Sequence, residues 1–160
     1  MGEMSEFSRA TRLFLRAYPW RRIEPVPWTV LPKPLARCRL ALISTAGFVA
    51  PGDAPFDLTV RGGDPSFREI AAGVDVSQLR ENHRSRTFDH QGVAADPNLA
   101  FPIDRLRGLV ERGRIGALNR RHLSFMGSIT APGRLQRDFL PTAARLLVED
   151  GVDVALLVPV

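Results

Sequence analysis

Two short runs, apolar at nearly every position, constrain this chain most: Arg39 to Thr45, reading RLALIST, and Val152 to Val160, reading VDVALLVPV. A strand with one wet face alternates apolar and polar residues. A strand buried on both faces does not, and such strands belong to sheets covered by helices on each side. Leu40–Thr45 and Val154–Val158 are therefore expected as interior strands. Between them lie helical patterns. Pro102 suits the first turn of a helix in which Ile103, Leu106 and Val110 share a face and Gly113 follows as the stop. His122 to Ile129 reads as a strand. Leu135, Phe139, Ala143 and Leu146 form a second helical stripe, with Pro141 as a fresh start inside it and Gly151 as its end. Strands alternating with helices predict an α/β domain: a mostly parallel sheet with flanking helices, Rossmann-like. A last strand of this kind is expected to need a covering helix, so the domain reads as incomplete at its C-terminus. The alternative at this point is an edge strand at a natural C-terminus.

The front of the chain has another character. Phe7, Ala10, Phe14 and Ala17 recur at helical spacing between Ser5 and Tyr18, with Arg9, Arg12 and Arg16 on another face. Five prolines between Pro19 and Pro34 forbid a regular helix or central strand and predict an extended arm, anchored on another surface by Trp20 and Trp28. The expected division is residues 1–38 as helix and arm, and 39–160 as the α/β domain. Within the latter, Pro51 to Gly73 is rich in turn formers, and Val74 to Asn98 is polar and without clear period.

Charge narrows the function classes. Of the 22 basic residues all but Lys33 are arginine, and the net charge is +5. The arginines alternate with Asp and Glu and never form a run longer than two, which reads as solvated surface and not as a nucleic-acid footprint. No apolar stretch reaches the length of a signal peptide or a membrane span. The single cysteine, Cys38, leaves no internal disulfide. A soluble cytoplasmic protein is expected, with no nucleic acid and no membrane.

Several polar residues are candidates for chemistry. His83 is an acid/base candidate that Asp89 or Asp96 would orient. With His90 they also make a donor set for a metal, but the spacing matches no recognised template and none is expected. The plain alternative is Asx turns and solvated loop histidines. His122, beside Ser124, is either a hydrogen-bonded core histidine or a catalytic one. Ser44, Thr45 and Gly47 end the first strand, where hydroxyls and backbone N–H groups can face a substrate carboxylate; Gly47 can equally be a turn residue. Arg68 is either a carboxylate clamp or a partner of Asp64 and Glu69. Cys38 reads as a buried or arm residue, with a thiol activated by Arg37 and Arg39 as the alternative. If these groups serve one reaction, Ser44, Thr45, Gly47 and His83 or His122 should converge on the carboxyl end of the last strand.

The chain also resembles a known family. The runs LISTAG from Leu42, PFD from Pro55, and Gly63-Asp64 followed by SFREI from Ser66 are similar to the glycine/sarcosine/betaine/D-proline reductase selenoprotein B family. So are Asp96 and Asn98, FPIDRL from Phe101, GRIG from Gly113, RHLSFMG from Arg121, and DGVD from Asp150 with the closing LLVPV. They follow the family's order over about residues 39 to 160.

The resemblance implies reductive cleavage of a C–N bond in glycine, sarcosine, betaine, D-proline or a related small amine. It places a selenocysteine or cysteine directly after the LLVPV strand, then two residues and a cysteine. The chain as given then lacks the nucleophile, carries no cofactor, and the codon after Val160 is expected to be UGA. A pyruvoyl group on a partner subunit would bind the amine and withdraw electrons from the C–N bond. A thioredoxin-like protein would return the electrons, and a homo- or hetero-oligomer is expected. His83, His122 and Asp89 would be the catalytic groups of this chain, and Ser44, Thr45, Gly47 and Arg68 its substrate contacts. The competing reading is a non-catalytic interaction or regulatory subunit that docks through the arm and the arginine-rich helix.

Overall fold

The computed structural model describes residues 7–19 and 22–160. They fall into two units, one up to Val30 and one of Leu31–Val160. The first contains helix α1 (Arg9–Ala17), capped by Ser8, whose hydroxyl accepts the Thr11 N–H at 3.1 Å. A side-chain cap of this kind fixes where a helix begins, so α1 starts at Arg9; Ser5 and Trp20 of the sequence reading lie outside the described residues. Phe14 and Tyr18 stack on one face at 5.6 Å. Trp28, expected as an anchor, is 85% exposed.

The second unit is an α/β domain. Its central strand β1 (Arg39–Ser44) pairs in parallel on one side with β7 (Val154–Val158), from Leu40↔Val154 to Ser44↔Val158. On its other side lie, also in parallel, β5 (Ala117–Leu118) and β6 (Arg121–Phe125). The outer strand β3 (Phe67–Ala71) runs antiparallel to β6. Two short strands, β2 (Phe48–Val49) and β4 (Arg80–Glu81), form a separate antiparallel pair. Helix α2 (His90–Ala95) follows β4. Helix α3 (Ile103–Glu111) follows Pro102, and α4 (Leu140–Glu149) continues a wider helical turn at Leu135–Phe139, with Pro141 in its first turn.

The mostly parallel sheet with flanking helices is as the apolar runs predict. Leu40, Leu42, Phe48, Ile70, Phe101, Ile103 and Leu106 make one core; Ala41, Leu123, Phe125, Ala143 and Leu147 make another. Successive residues of β1 enter different cores, which is why its sequence shows no polar alternation. The last strand corrects the expectation. β7 has β1 as its one neighbour among the described residues, and Ala155, Leu156 and Leu157 are exposed, so it is an edge and not an interior strand. The strand expected over His122–Ile129 ends at Phe125, because Gly127 turns the chain with φ +65°.

The junction of β5 and β6 carries the fold's main irregularity. Leu40 faces Leu118 and Ile43 faces Leu123, so five steps on one strand meet three on the other. The extra residues bulge out, and a bulge leaves ladder groups unpaired. Leu42 is at this gap, and its N–H is taken by the His122 side chain, at 3.0 Å to Nδ1. The bulged residues are held from outside. Asp150 accepts from Asn119 at 2.9 Å, from Arg120 at 2.7 Å and from Arg121 at 2.7 Å. These donors keep the Asp150 carboxyl well below the usual carboxylate range.

Candidate functional site

In parallel α/β sheets, ligands gather outside the carboxyl ends of the strands. Here β1, β6 and β7 end together. The Thr45 N–H donates to the Val158 carbonyl at 3.1 Å. The Thr45 hydroxyl accepts the Val160 N–H at 3.0 Å and donates to the Val160 carbonyl at 3.3 Å. One side chain thus clasps the segment just beyond β7. Gly47, with φ +68°, donates its N–H to the Phe125 carbonyl at 2.8 Å and accepts the Asn82 N–H at 3.0 Å. A Cβ there would stand 3.2 Å from the Asn82 and His83 backbone, so glycine is what lets residues 82–83 cross the end of β1.

That crossing delivers His83. The residue is 7% exposed, and its ring packs against Gly127 just beyond β6 and against Phe88, with centroids 4.5 Å apart. Nδ1 accepts the Ser85 N–H at 3.3 Å. A neutral imidazole that accepts at one nitrogen carries its proton on the other, so Nε2–H is the donor, and it has no partner. Burial pushes the His83 pKa down, against the pull of Glu81, and keeps the ring neutral. His83, Ser85, Thr87, Phe88, Ser128 and Val160 line a small cavity of about 180 Å³. Nε2 itself is buried against Gly127, and a buried N–H without a partner, on a residue that lines a cavity, is suited to donating a hydrogen bond to a ligand or a reacting anion.

The other candidates lie elsewhere or are occupied. Ser44 is fully buried; its hydroxyl donates to the Ala100 carbonyl at 2.7 Å and accepts the Ala46 N–H at 3.1 Å. His122 is fully buried at the β5–β6 gap, edge-on to Phe101 at 6.2 Å. With Nδ1 accepting from Leu42, its proton sits on Nε2, which has no partner, and burial pushes its pKa down to about 4. Asp89 caps α2 through the Gly92 N–H at 2.9 Å, and Asp96 caps the next turn through the Asn98 N–H at 3.0 Å. Arg68 donates to the Ala54, Pro55 and Phe67 carbonyls and to the Ser66 hydroxyl, lies over the Phe56 ring, and is 3.9 Å from Asp64. Its guanidinium therefore holds the 54–68 loop together. Cys38 is fully buried, its thiol 3.4 Å from the Lys33 carbonyl, at the opposite, amino end of β1. Among the described residues no group of three or more His, Cys, Asp or Glu is placed to hold a metal ion, and no helix is long and apolar enough to cross a membrane.

Sequence reasoning singled out His83, Thr45 and Gly47, which meet. It missed Gly127, Ser128 and Phe88, which complete the surroundings of His83. Gly127-Ser128 directly after a strand was the available signal; Phe88 offered none.

Residues 10–159 match the model of the family described as glycine/sarcosine/betaine reductase selenoprotein B. The chain is 36% identical over 136 residues to the D-proline reductase subunit gamma of Acetoanaerobium sticklandii, an alignment covering 84% of this chain and 54% of that one. It is 28% identical over 146 residues to the sarcosine reductase complex component B subunit beta of Peptoclostridium acidaminophilum, covering 90% of this chain and 33% of that one. The chain thus spans about half the length of the first relative and a third of the second. No solved structure matches.

Proposed function

Because the chain belongs to the glycine/sarcosine/betaine reductase selenoprotein B family, we propose that it is a component of a multi-subunit reductase that cleaves the C–N bond of a small amine such as D-proline or sarcosine. The names of its relatives, subunits of D-proline and sarcosine reductase, support this class of assembly. The observation that carries the site is the buried, unpartnered Nε2–H of His83, a residue that lines a cavity together with Val160. The family resemblance puts a selenocysteine or cysteine next after that position. Such a group supplies a soft nucleophile that carries two electrons, and a pyruvoyl group on a partner subunit supplies an electron sink for the amine.

This chain's own residues have definite tasks in that reading. Thr45 fixes the exit of β7 by both polar groups of Val160, so a following residue starts from a set point. His83 offers its Nε2–H to an anion there. Because Nδ1 is already occupied and burial keeps the ring neutral, the geometry suits a hydrogen-bond donor better than a proton shuttle. Phe88 and Gly127 exclude water from the ring and so strengthen that bond.

The test is turnover. The protein, carried through its downstream residues and combined with its partner subunits, is assayed for dithiol-dependent consumption of D-proline, sarcosine, glycine and betaine. One of them should be consumed, and His83→Gln should slow that turnover by roughly 10²–10³-fold, as losing one donor to a developing anion does. An unchanged rate in His83→Gln removes the role given to His83. Failure to consume any of the four sinks the reductase reading.

A further inference from the structure

If His83 is the donor at this site, something must fix its ring and its tautomer. We propose that Glu81 and His90, acting through Ser85, form a positioning relay that decides which nitrogen of His83 bears the proton and where it points; this rests on the role given to His83 above. The links are consecutive. One oxygen of Glu81, Oε1, accepts the backbone N–H of His83, and the other, Oε2, faces His90 Nδ1 at 2.6 Å. His90 Nε2 lies 2.8 Å from the Ser85 carbonyl. The Ser85 N–H, in turn, donates to His83 Nδ1. Phe88 fills the space between the two imidazoles, 4.5 Å from His83 and edge-on to His90 at 5.1 Å.

Each link constrains the next. Both nitrogens of His90 face acceptors, a carboxylate and a carbonyl, and only the doubly protonated ring can donate to both. That cation grips Glu81 on β4 and the carbonyl of Ser85 at once. Ser85 is then placed to offer its amide to Nδ1 of His83, and the proton of His83 is confined to Nε2, on the side of Gly127. The charged groups that bear on His90 are Glu81 from β4 and Asp89 from the start of its own helix, with His83 on the far side of Phe88; both carboxylates favour the cation. The relay is therefore intact at and below the ordinary histidine pKa, and it loosens as pH rises through the raised value of His90.

Long-range proton–nitrogen NMR of the ¹⁵N-histidine-labelled protein tests this without reading turnover, so failure of the relay and failure of the catalytic reading are told apart. His83 should appear as the Nε2–H form and titrate below the ordinary histidine value, and its Nδ1 signal should show a second step at the midpoint of His90. In His90→Gln and in Glu81→Gln the Nδ1–H form of His83 should become several-fold more populated; its midpoint should rise in His90→Gln, where a nearby positive charge is lost, and fall in Glu81→Gln, where the carboxylate that draws it up is lost. The signals of His122, deep in the core, should stay where they are and report an intact fold. Unchanged tautomer and midpoint of His83 in both variants would overturn the proposal. So would a wild-type His83 whose Nδ1 signal has no step at the titration of His90, a measurement that needs no variant to fold.

Discussion

Acidifying the chain from pH 6.5 to 4 should weaken it through His122 by an amount the structure sets. The ring is fully buried, accepts the Leu42 N–H, and has a pKa pushed down to about 4 from 6.5. In the unfolded chain the same ring takes up a proton near pH 6.5. Between the two values the unfolded state binds the extra proton, so stability falls as pH falls. The contribution is fully present above pH 6.5 and is lost by about pH 4. At 1.36 kcal/mol per pKa unit, that gap corresponds to about 3 kcal/mol. The carboxylates held below their ordinary range, Asp150 among them, titrate beneath this window. His90, whose pKa is raised, acts above it. His83 acts in the same direction as His122 and must be subtracted. The assay is urea unfolding followed by circular dichroism at a series of pH values, for wild type and for His122→Gln, which keeps an acceptor for Leu42. The wild type should lose about 3 kcal/mol more than the variant between pH 6.5 and 4. Parallel curves for the two proteins would refute the account.

Two further outcomes follow from the same structure. Gly127→Ala would place a Cβ against the Thr45 carbonyl and 2.7 Å from His83 Nε2, at a φ of +65°; a left-handed non-glycine residue alone costs about 1–2 kcal/mol, so urea unfolding should show a loss of at least that size. Asp150→Asn removes the charge and exchanges one of the two oxygens that Arg120, Arg121 and Asn119 share for a donor, and it should lower the melting temperature at neutral pH. Because the Asp150 pKa is lowered, the gap between wild type and variant should close as pH falls below the ordinary carboxylate value of 3.8, and a gap that persists there would contradict the linkage.

The sheet was legible because burial on both faces leaves a mark in composition, and β1 carries it plainly. β7 carries the same mark without the burial. Apolar character states that a surface favours cover, and it does not state which element provides it. Strand β3 was harder, since FREIA spends Arg68 and Glu69 on loop and ion-pair contacts and shows one fully buried side chain, Ile70. At the site, Thr45 and Gly47 were readable from their place at a strand end. His83 was readable only as a polar residue in an aperiodic stretch, because its position depends on two glycines far apart in sequence, Gly47 and Gly127, that let three segments approach. His122 shows the reverse case: its type suggested chemistry, while a two-residue bulge between β5 and β6, which no periodicity announces, gives it a backbone N–H to satisfy.

The outer side of β7 has a practical consequence for handling this protein. An apolar edge bearing Ala155, Leu156 and Leu157, with no charged residue among them to discourage pairing, is a template for a second strand. Two copies that meet along this edge would shield one another, and by mass action the folded form would gain stability as concentration rises. Melting temperatures of this chain should therefore climb with protein concentration, and any comparison of variants is sound only at a matched, low concentration.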